Sequence, residues 1–163
     1  MSTIHNLMVN PVPVSTAGWL RFGDVEYRPT GDNRGIYVRN AVGGASKGIE
    51  YGLPSLPAGD YMYGFYASCP DHVNGDQLSL IKSATGENYL CDVRRTQKDG
   101  FYTASVALTE PGCKILFVAP KTSSGEMSMN SLILTPASEW PTVQALCESG
   151  GLPNPYFSGE SLP

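Results

Sequence analysis

The chain reads as an all-β protein, a two-sheet sandwich or a barrel, and three observations predict it. Only 16% of its 163 residues are charged, whereas 18 are glycine and 13 are proline, a balance that favours turns and short strands over long solvated helices. About ten apolar or alternating segments recur at spacings of roughly 8 to 14 residues, each bounded by Gly, Pro, Asn or Asp. One of them, residues 60–69, alternates clearly: Tyr61, Tyr63, Phe65 and Ala67 share one face, and Met62, Gly64 and Tyr66 share the other. A chain of this length forms one domain that buries roughly two thirds of its unfolded surface.

The elements follow in order. Residues 4–9 and 12–20 are rich in branched and apolar side chains but are broken by Asn10, Pro11 and Pro13, as an edge strand would be. The polar, Gly-containing stretch 23–35 reads as a loop leading into a strand at 36–39, and 41–47, with Gly43-Gly44, reads as a mobile loop. Further strands are predicted at 47–53, 60–69, 77–83, 88–94, 100–108, 114–119 and 127–135. A single helix is expected near the end. Ser138 caps it, Glu139 faces the positive end of its dipole, Pro141 fits its first turn, and Trp140, Val143 and Leu146 form its apolar stripe before Gly150-Gly151. That stripe must dock on the chain's own sandwich or on a neighbouring subunit.

Composition excludes several functions. A net charge of -4, a pI near 5.1 and no basic run longer than Arg94-Arg95 leave no electrostatic footprint for nucleic acid. No apolar segment nears the roughly 20 residues that span a bilayer, and the N-terminus lacks a signal-peptide pattern, so a soluble protein without a membrane role is expected. Cys69, Cys91, Cys113 and Cys147 lie far apart with no Cys-x-x-Cys pair. Three share strand phase with large apolar residues, which predicts buried free thiols and a reducing compartment of synthesis, although spacing alone leaves a disulfide open.

Catalytic constellations are thin, and no enzyme is expected. The stretch 43–48 has the composition of a phosphate loop without its Gly-Lys-Ser/Thr. His5 falls on a terminal strand and His72 in a turn, and no nucleophile elbow accompanies either. Asp24, Glu26 and Asp32 would need to face Glu50 across a sheet to act as a glycosidase pair. Asp71, Asn74 and Asp76 carry oxygens of the kind a structural calcium takes, but Asn74-Gly75 is itself a turn signal, so a polar hairpin turn is preferred and no cofactor or metal is expected.

Aromatics offer more than catalysis does. Sugar rings stack their C–H faces on Tyr and Trp while amides and carboxylates take the hydroxyls. Trp19, Tyr27, Tyr37, Tyr51, Tyr66 and Tyr102, with Asn33, Arg39, Asn40 and Gln77 near them in sequence, supply such parts. Tyr66, Tyr37, Trp19 and Tyr51 are the candidate glycan-binding residues. Phase makes the Tyr61, Tyr63, Phe65 row the core face and leaves Tyr66 on the exposed one.

Five stretches carry resemblances. Residues 6–11 (Asn-Leu-Met-Val-Asn-Pro), Gly18-Trp19, and 56–67 resemble the opening and central strand of carbohydrate-binding-module-like jelly rolls. Glu139-Trp140-Pro141-Thr142-Val143-Gln144-Ala145-Leu146 and Tyr156-Phe157-Ser158-Gly159-Glu160-Ser161-Leu162-Pro163 resemble the ending of minor tail and other virion proteins from actinobacterial phages and prophages. Ser158 stands where that ending usually has an acidic residue, and Ser161-Leu162 replace Thr-Met. The resemblance implies a jelly-roll β-sandwich over 1–136, with the helix and an extended arm over 137–163 as part of the same domain. It further implies a non-enzymatic virion protein of the tail or of head or tail decoration. Such a protein would be made in the bacterial host cytoplasm and would assemble as a homo-oligomer with other virion proteins through Trp140, Leu146, Tyr156 and Phe157. The alternative is a host-adhesion module that recognises cell-wall glycan.

Overall fold

The structure, a computed structural model, describes residues 4–8, 15–32, 34–86, 88–148 and 161–162. Two five-stranded sheets face each other. The first orders β2 (Trp19–Phe22), β5 (Gly48–Gly52), β10 (Lys114–Val118), β7 (Gln77–Lys82) and β8 (Tyr89–Arg94). The second orders β3 (Glu26–Pro29), β4 (Gly35–Asn40), β11 (Gly125–Pro136), β6 (Gly59–Ser68) and β9 (Asp99–Leu108). Every pairing is antiparallel. A short pair, β1 (Ile4–His5) with β12 (Ser161–Leu162), sets Ile4 opposite Leu162. The all-β sandwich read from composition and periodicity is the fold observed.

Alternation builds the core. Tyr61, Tyr63, Phe65 and Ala67 of β6 are buried against Ile115 and Phe117 of β10, and the Phe65 and Phe117 rings meet edge-on with centroids 5.0 Å apart. Tyr63 and Tyr102 flank Phe65 at 5.4 and 5.5 Å, so one aromatic cluster joins the sheets. Truncating a buried Phe of this kind to Ala costs about 3 to 5 kcal/mol, which makes the cluster a principal source of stability.

Two strand expectations change. The stretch 23–35 is not all loop, because β3 forms within it: Val25 is buried and Tyr27 packs against the core, while the flanking Glu26 is exposed. Its polar outward residues mask the alternation in the sequence. Of the segment expected at 12–20, residues 15–18 form no strand and a strand runs from Trp19 to Phe22, two residues further than expected; residues 9–14 lie outside the described residues.

Strand β11 carries a bulge. Asn130 pairs with Tyr66 and Ile133 with Gly64, so Ser131 and Leu132 together oppose Phe65, and Ser131 takes φ 53°. The extra residue turns Leu132 and Leu134 into the core and Ile133 outward. Beyond Asn130, β11 also changes partner. Its pairing with β4 ends, and Asn6 takes over, donating from Nδ2 to the Leu132 carbonyl at 2.9 Å and accepting from the Leu134 amide at 3.1 Å.

The outward Ile133 receives the helix. A 3₁₀ turn (Ala137–Glu139) leads into α1 (Trp140–Glu148), and buried Val143 packs on Ile133 beside Trp140, Leu146 and Phe101. Ser138 lies within the 3₁₀ turn, which makes no side-chain capping bond at its start, so the expected cap is replaced by a turn running straight on from β11. The apolar stripe therefore docks on its own sandwich. Tyr156 and Phe157, the other expected assembly residues, lie outside the described residues, as does Asn33.

Candidate functional site

The four aromatic candidates separate into two places. Trp19 is 3% exposed, sits opposite Tyr51 in register, and contacts the Tyr51 and Phe117 rings at 5.0 and 5.8 Å. Trp19 is thus a core residue and not a platform, because its strand phase turns it inward. Tyr51 is half-buried and packs against the same cluster. Tyr27 and Tyr102 also serve structure: Tyr27 donates to the Trp19 carbonyl at 3.1 Å, and Tyr102 donates to that of Gln97 at 2.7 Å.

Tyr37 and Tyr66 share the outer face of the second sheet. Register lays out three rows across it: Glu26, Arg39 and Glu126; then Arg28, Tyr37, Ser128 and Ser68; then Asn130, Tyr66 and Phe101. The two tyrosines stand two strands and one row apart, roughly 12 Å between backbones on ordinary strand spacing. Both are half-buried. The Arg28 guanidinium lies 4.7 Å from the Tyr37 ring centroid. Burial, with the Glu126 carboxylate beside it, pushes the Tyr37 hydroxyl above the ordinary phenol pKa. Shallow depressions of about 240 and 170 Å³ lie on either side of Tyr37, the first lined by Glu26, Arg28 and Arg39, the second by Ser68, Glu126 and Ser128. An aromatic ring is thus flanked by donors and acceptors held at fixed strand positions. Sequence reasoning found Tyr37 and Arg39 but missed Arg28 and Glu126; the i, i+2 pair Glu26 and Arg28 was the available signal.

The outer face of the first sheet differs. Leu80, Leu116 and Val118 form a buried apolar strip against which half-buried Phe22 packs, bordered by the Lys114–Glu50 ion pair at 3.4 Å. Where Val118 ends the strip, a cavity of about 300 Å³ opens, lined by His72, Asp76, Gln77, Arg94 and Lys121. His72 is buried, and its Nε2 lies 2.8 Å from the Val118 carbonyl. The sequence placed His72 in a turn and gave no sign of its burial. That turn is also no hairpin, since it carries the chain from β6 in one sheet to β7 in the other.

The remaining acidic and lysine candidates are engaged in structural contacts. Asp24 pairs with Lys47 at 2.9 Å, Glu26 with Arg39 at 3.1 Å, and Glu50 with Lys114, while Asp32 accepts from the Thr30 hydroxyl and the Arg34 amide. Bonding to Lys47, and for Asp32 to Thr30, holds both aspartates below the ordinary carboxylate pKa. Lys47 also donates to the Gly43 carbonyl, and Asn40 bonds the Gly44 and Pro120 carbonyls, so the 41–47 loop is tied down along its length. Asp71 accepts from the Glu126 amide and Asp76 from that of Val73, and no group of three potential metal-ligating His, Cys, Asp or Glu side chains occurs among the described residues. Cys69, Cys91 and Cys113 are buried free thiols; the Cys147 side chain lies outside the described residues. No helix among the described residues is long and apolar enough to cross a membrane.

Solved structures share this fold. The second N-terminal cellulose-binding domain of Cellulomonas fimi β-1,4-glucanase C superposes with a TM-score of 0.58 at 17% identity, over 83% of this chain and 97% of that one. The CBM22-1 xylan-binding domain of Paenibacillus barcinonensis Xyn10C gives 0.55 at 11% identity, over 81% and 91%. The enzymatically active domain of bacteriophage CBA120 tailspike protein 4 gives 0.54 at 14% identity over 79% of this chain, which spans 21% of that one. The likeness is that of the carbohydrate-binding-module jelly-roll sandwich. No protein-family model and no curated protein matches the sequence.

Proposed function

We propose that this chain is a non-catalytic glycan-binding jelly roll that serves host attachment as part of a phage virion, with Tyr37 and Tyr66 on its binding face. The observation that carries the reading is the outer face of the second sheet, where Tyr37 stands between two depressions lined by Arg28, Arg39, Glu126 and Ser128. Stacking on the rings supplies contact area, and the charged and hydroxyl neighbours fix orientation. Neighbours of the same fold described as cellulose- and xylan-binding domains support the ligand class. The phage-like ending and the tailspike neighbour support the virion setting. Weak sites of this kind gain avidity when many copies are displayed together.

A purely structural virion role is the second reading. It relied on Trp140 and Leu146 as anchors between subunits, but both pack against the chain's own sheet, which favours the glycan reading. The test is retention of the purified protein on actinobacterial cell walls, beside Tyr37→Ala and Tyr66→Ala. Retention that these variants lose supports the glycan face. An absence of retention for the unaltered protein overturns it and leaves assembly as the role.

A further inference from the structure

We infer that the free edge of β9 is a self-association surface, on which a second copy of this chain pairs its own β9 antiparallel and joins the two second sheets into one. The inference goes beyond the glycan-binding reading and does not rest on it.

Unpaired sheet edges invite other strands, so edges are ordinarily kept short or interrupted by proline, charge or bulges. Three of the edge strands of the two five-stranded sheets follow that rule. β2 has four residues; β3 has four, carries Glu26 and Arg28 and ends at Pro29; β8 carries Asp92 and Arg94 on a ladder with β7 that is twice interrupted. β9 does not follow it. It runs for ten residues, Asp99–Leu108, without proline, lysine or arginine, and its ladder with β6 is unbroken.

Register shows which backbone groups are free. The Cys69 amide donates to the Lys98 carbonyl at 2.7 Å, one step beyond the Ser68 and Asp99 pair, so Lys98 and every second residue after it turn their backbone groups toward β6. Phe101, Thr103, Ser105 and Ala107 therefore turn theirs outward, and among the described residues none of these four makes a backbone hydrogen bond on that side. Thr103, Ser105 and Ala107 are also exposed and uncharged.

The strand's own sequence selects a second copy as the occupant. Antiparallel pairing about Ala104 sets Lys98 opposite Glu110 of the second copy at both ends of the interface. Neither residue forms an ion pair among the described residues, and the Ala84 amide holds the Glu110 carboxylate at the strand end at 3.1 Å. In the same register Phe101 faces Ala107, Leu108 faces Gly100 and Thr103 faces Ser105, so large side chains meet small ones and no like charges oppose. The outward groups of the two strands exchange about eight hydrogen bonds. Such a pair is related by a two-fold axis perpendicular to the sheet, so both outer faces point the same way. On the glycan-binding reading, Tyr37 and Tyr66 of both copies then lie on one side of the dimer, which adds avidity.

The test is sedimentation velocity of the full chain from about 5 to 500 µM, with exchange of individual amide hydrogens followed over the same range and no saccharide present. The expected result is a monomer–dimer equilibrium in the micromolar range, with exchange at Thr103, Ser105 and Ala107 slowing about tenfold or more as the dimer fills. Lys98→Glu should weaken dimerisation about tenfold by setting carboxylates together, and Lys98→Glu combined with Glu110→Lys should restore it. Thr103→Pro removes an outward amide without touching the β6 ladder and should abolish it. A monomer at every concentration overturns the inference and leaves the edge to a strand of another protein. A dimer in which those three amides exchange as fast as in the monomer, or one that Lys98→Glu does not weaken, overturns it as well. Retention on cell walls reports on the Tyr37 face separately, so either reading can fail without the other.

Discussion

The Tyr63 hydroxyl lies 2.8 Å from Ser79 Oγ, and Ser79 Oγ donates to the Leu116 carbonyl at 2.8 Å. Since Ser79 spends its proton on the carbonyl, Tyr63 must be the donor, and a buried relay runs from β6 in one sheet to β7 and β10 in the other. Tyr63→Phe deletes the first donor and should lower unfolding free energy by about 1 kcal/mol; Ser79→Ala strands the tyrosine hydroxyl and should cost about 1 to 3 kcal/mol. Urea denaturation of both variants checks the order. Equal losses would show that the relay does not couple the sheets.

Gly48→Ala should destabilise by about 3 kcal/mol through overpacking. A Cβ there would stand 1.9 Å from the Phe117 carbonyl oxygen and 2.9 Å from Phe22 Cζ, and the first of these atoms belongs to backbone paired in the sheet. Gly52→Ala, on the same strand with nothing within 4 Å of the added carbon, is the control. Thermal unfolding that separates the two variants confirms the packing; indistinguishable midpoints refute it.

His72 predicts a pH dependence of stability. Burial, the largest influence, lowers its pKa; the Val118 bond, Asp76 and Asp71 act to raise it, and Arg95 to lower it. The unfolded chain therefore binds a proton more readily than the native one, so stability should fall as pH drops through about 6.5 toward the lower native value. His72→Gln should flatten that slope between pH 7 and 5. A wild-type slope of zero there, measured by denaturant titration, would contradict the buried neutral ring.

The described thiols should be inert. Burial pushes Cys91 up to about 11 and raises Cys69 and Cys113 above the ordinary thiol value. In a Cys147→Ser background, an aromatic disulfide reagent at pH 8 should react with none of the three until denaturant is added. Rapid native labelling would place at least one on the surface.

Legibility in the sequence tracked side-chain contrast. Strand β6 was plain because its Tyr61, Tyr63 and Phe65 row differs sharply from the Met62, Gly64 and Tyr66 row, and that contrast also placed Tyr66 outward. Strand β3 was hidden because Glu26 and Arg28 gave its segment the composition of a loop. The bulge at Ser131 was unreadable, since one extra residue leaves an apolar run apolar whichever way its members point. Trp19 was misjudged, and the burial of His72 within its turn went unseen, for one reason: their surroundings come from Tyr51, Phe117 and Val118, which lie far along the chain.

The pairing of Ile4 with Leu162 has a practical meaning. Ile4 and Leu162 stand side by side, so segments leading away from either of them would start from the same point on the fold. The domain could be spliced into a loop of another protein, or its ends bridged and new ones opened elsewhere, with little rearrangement of the two sheets.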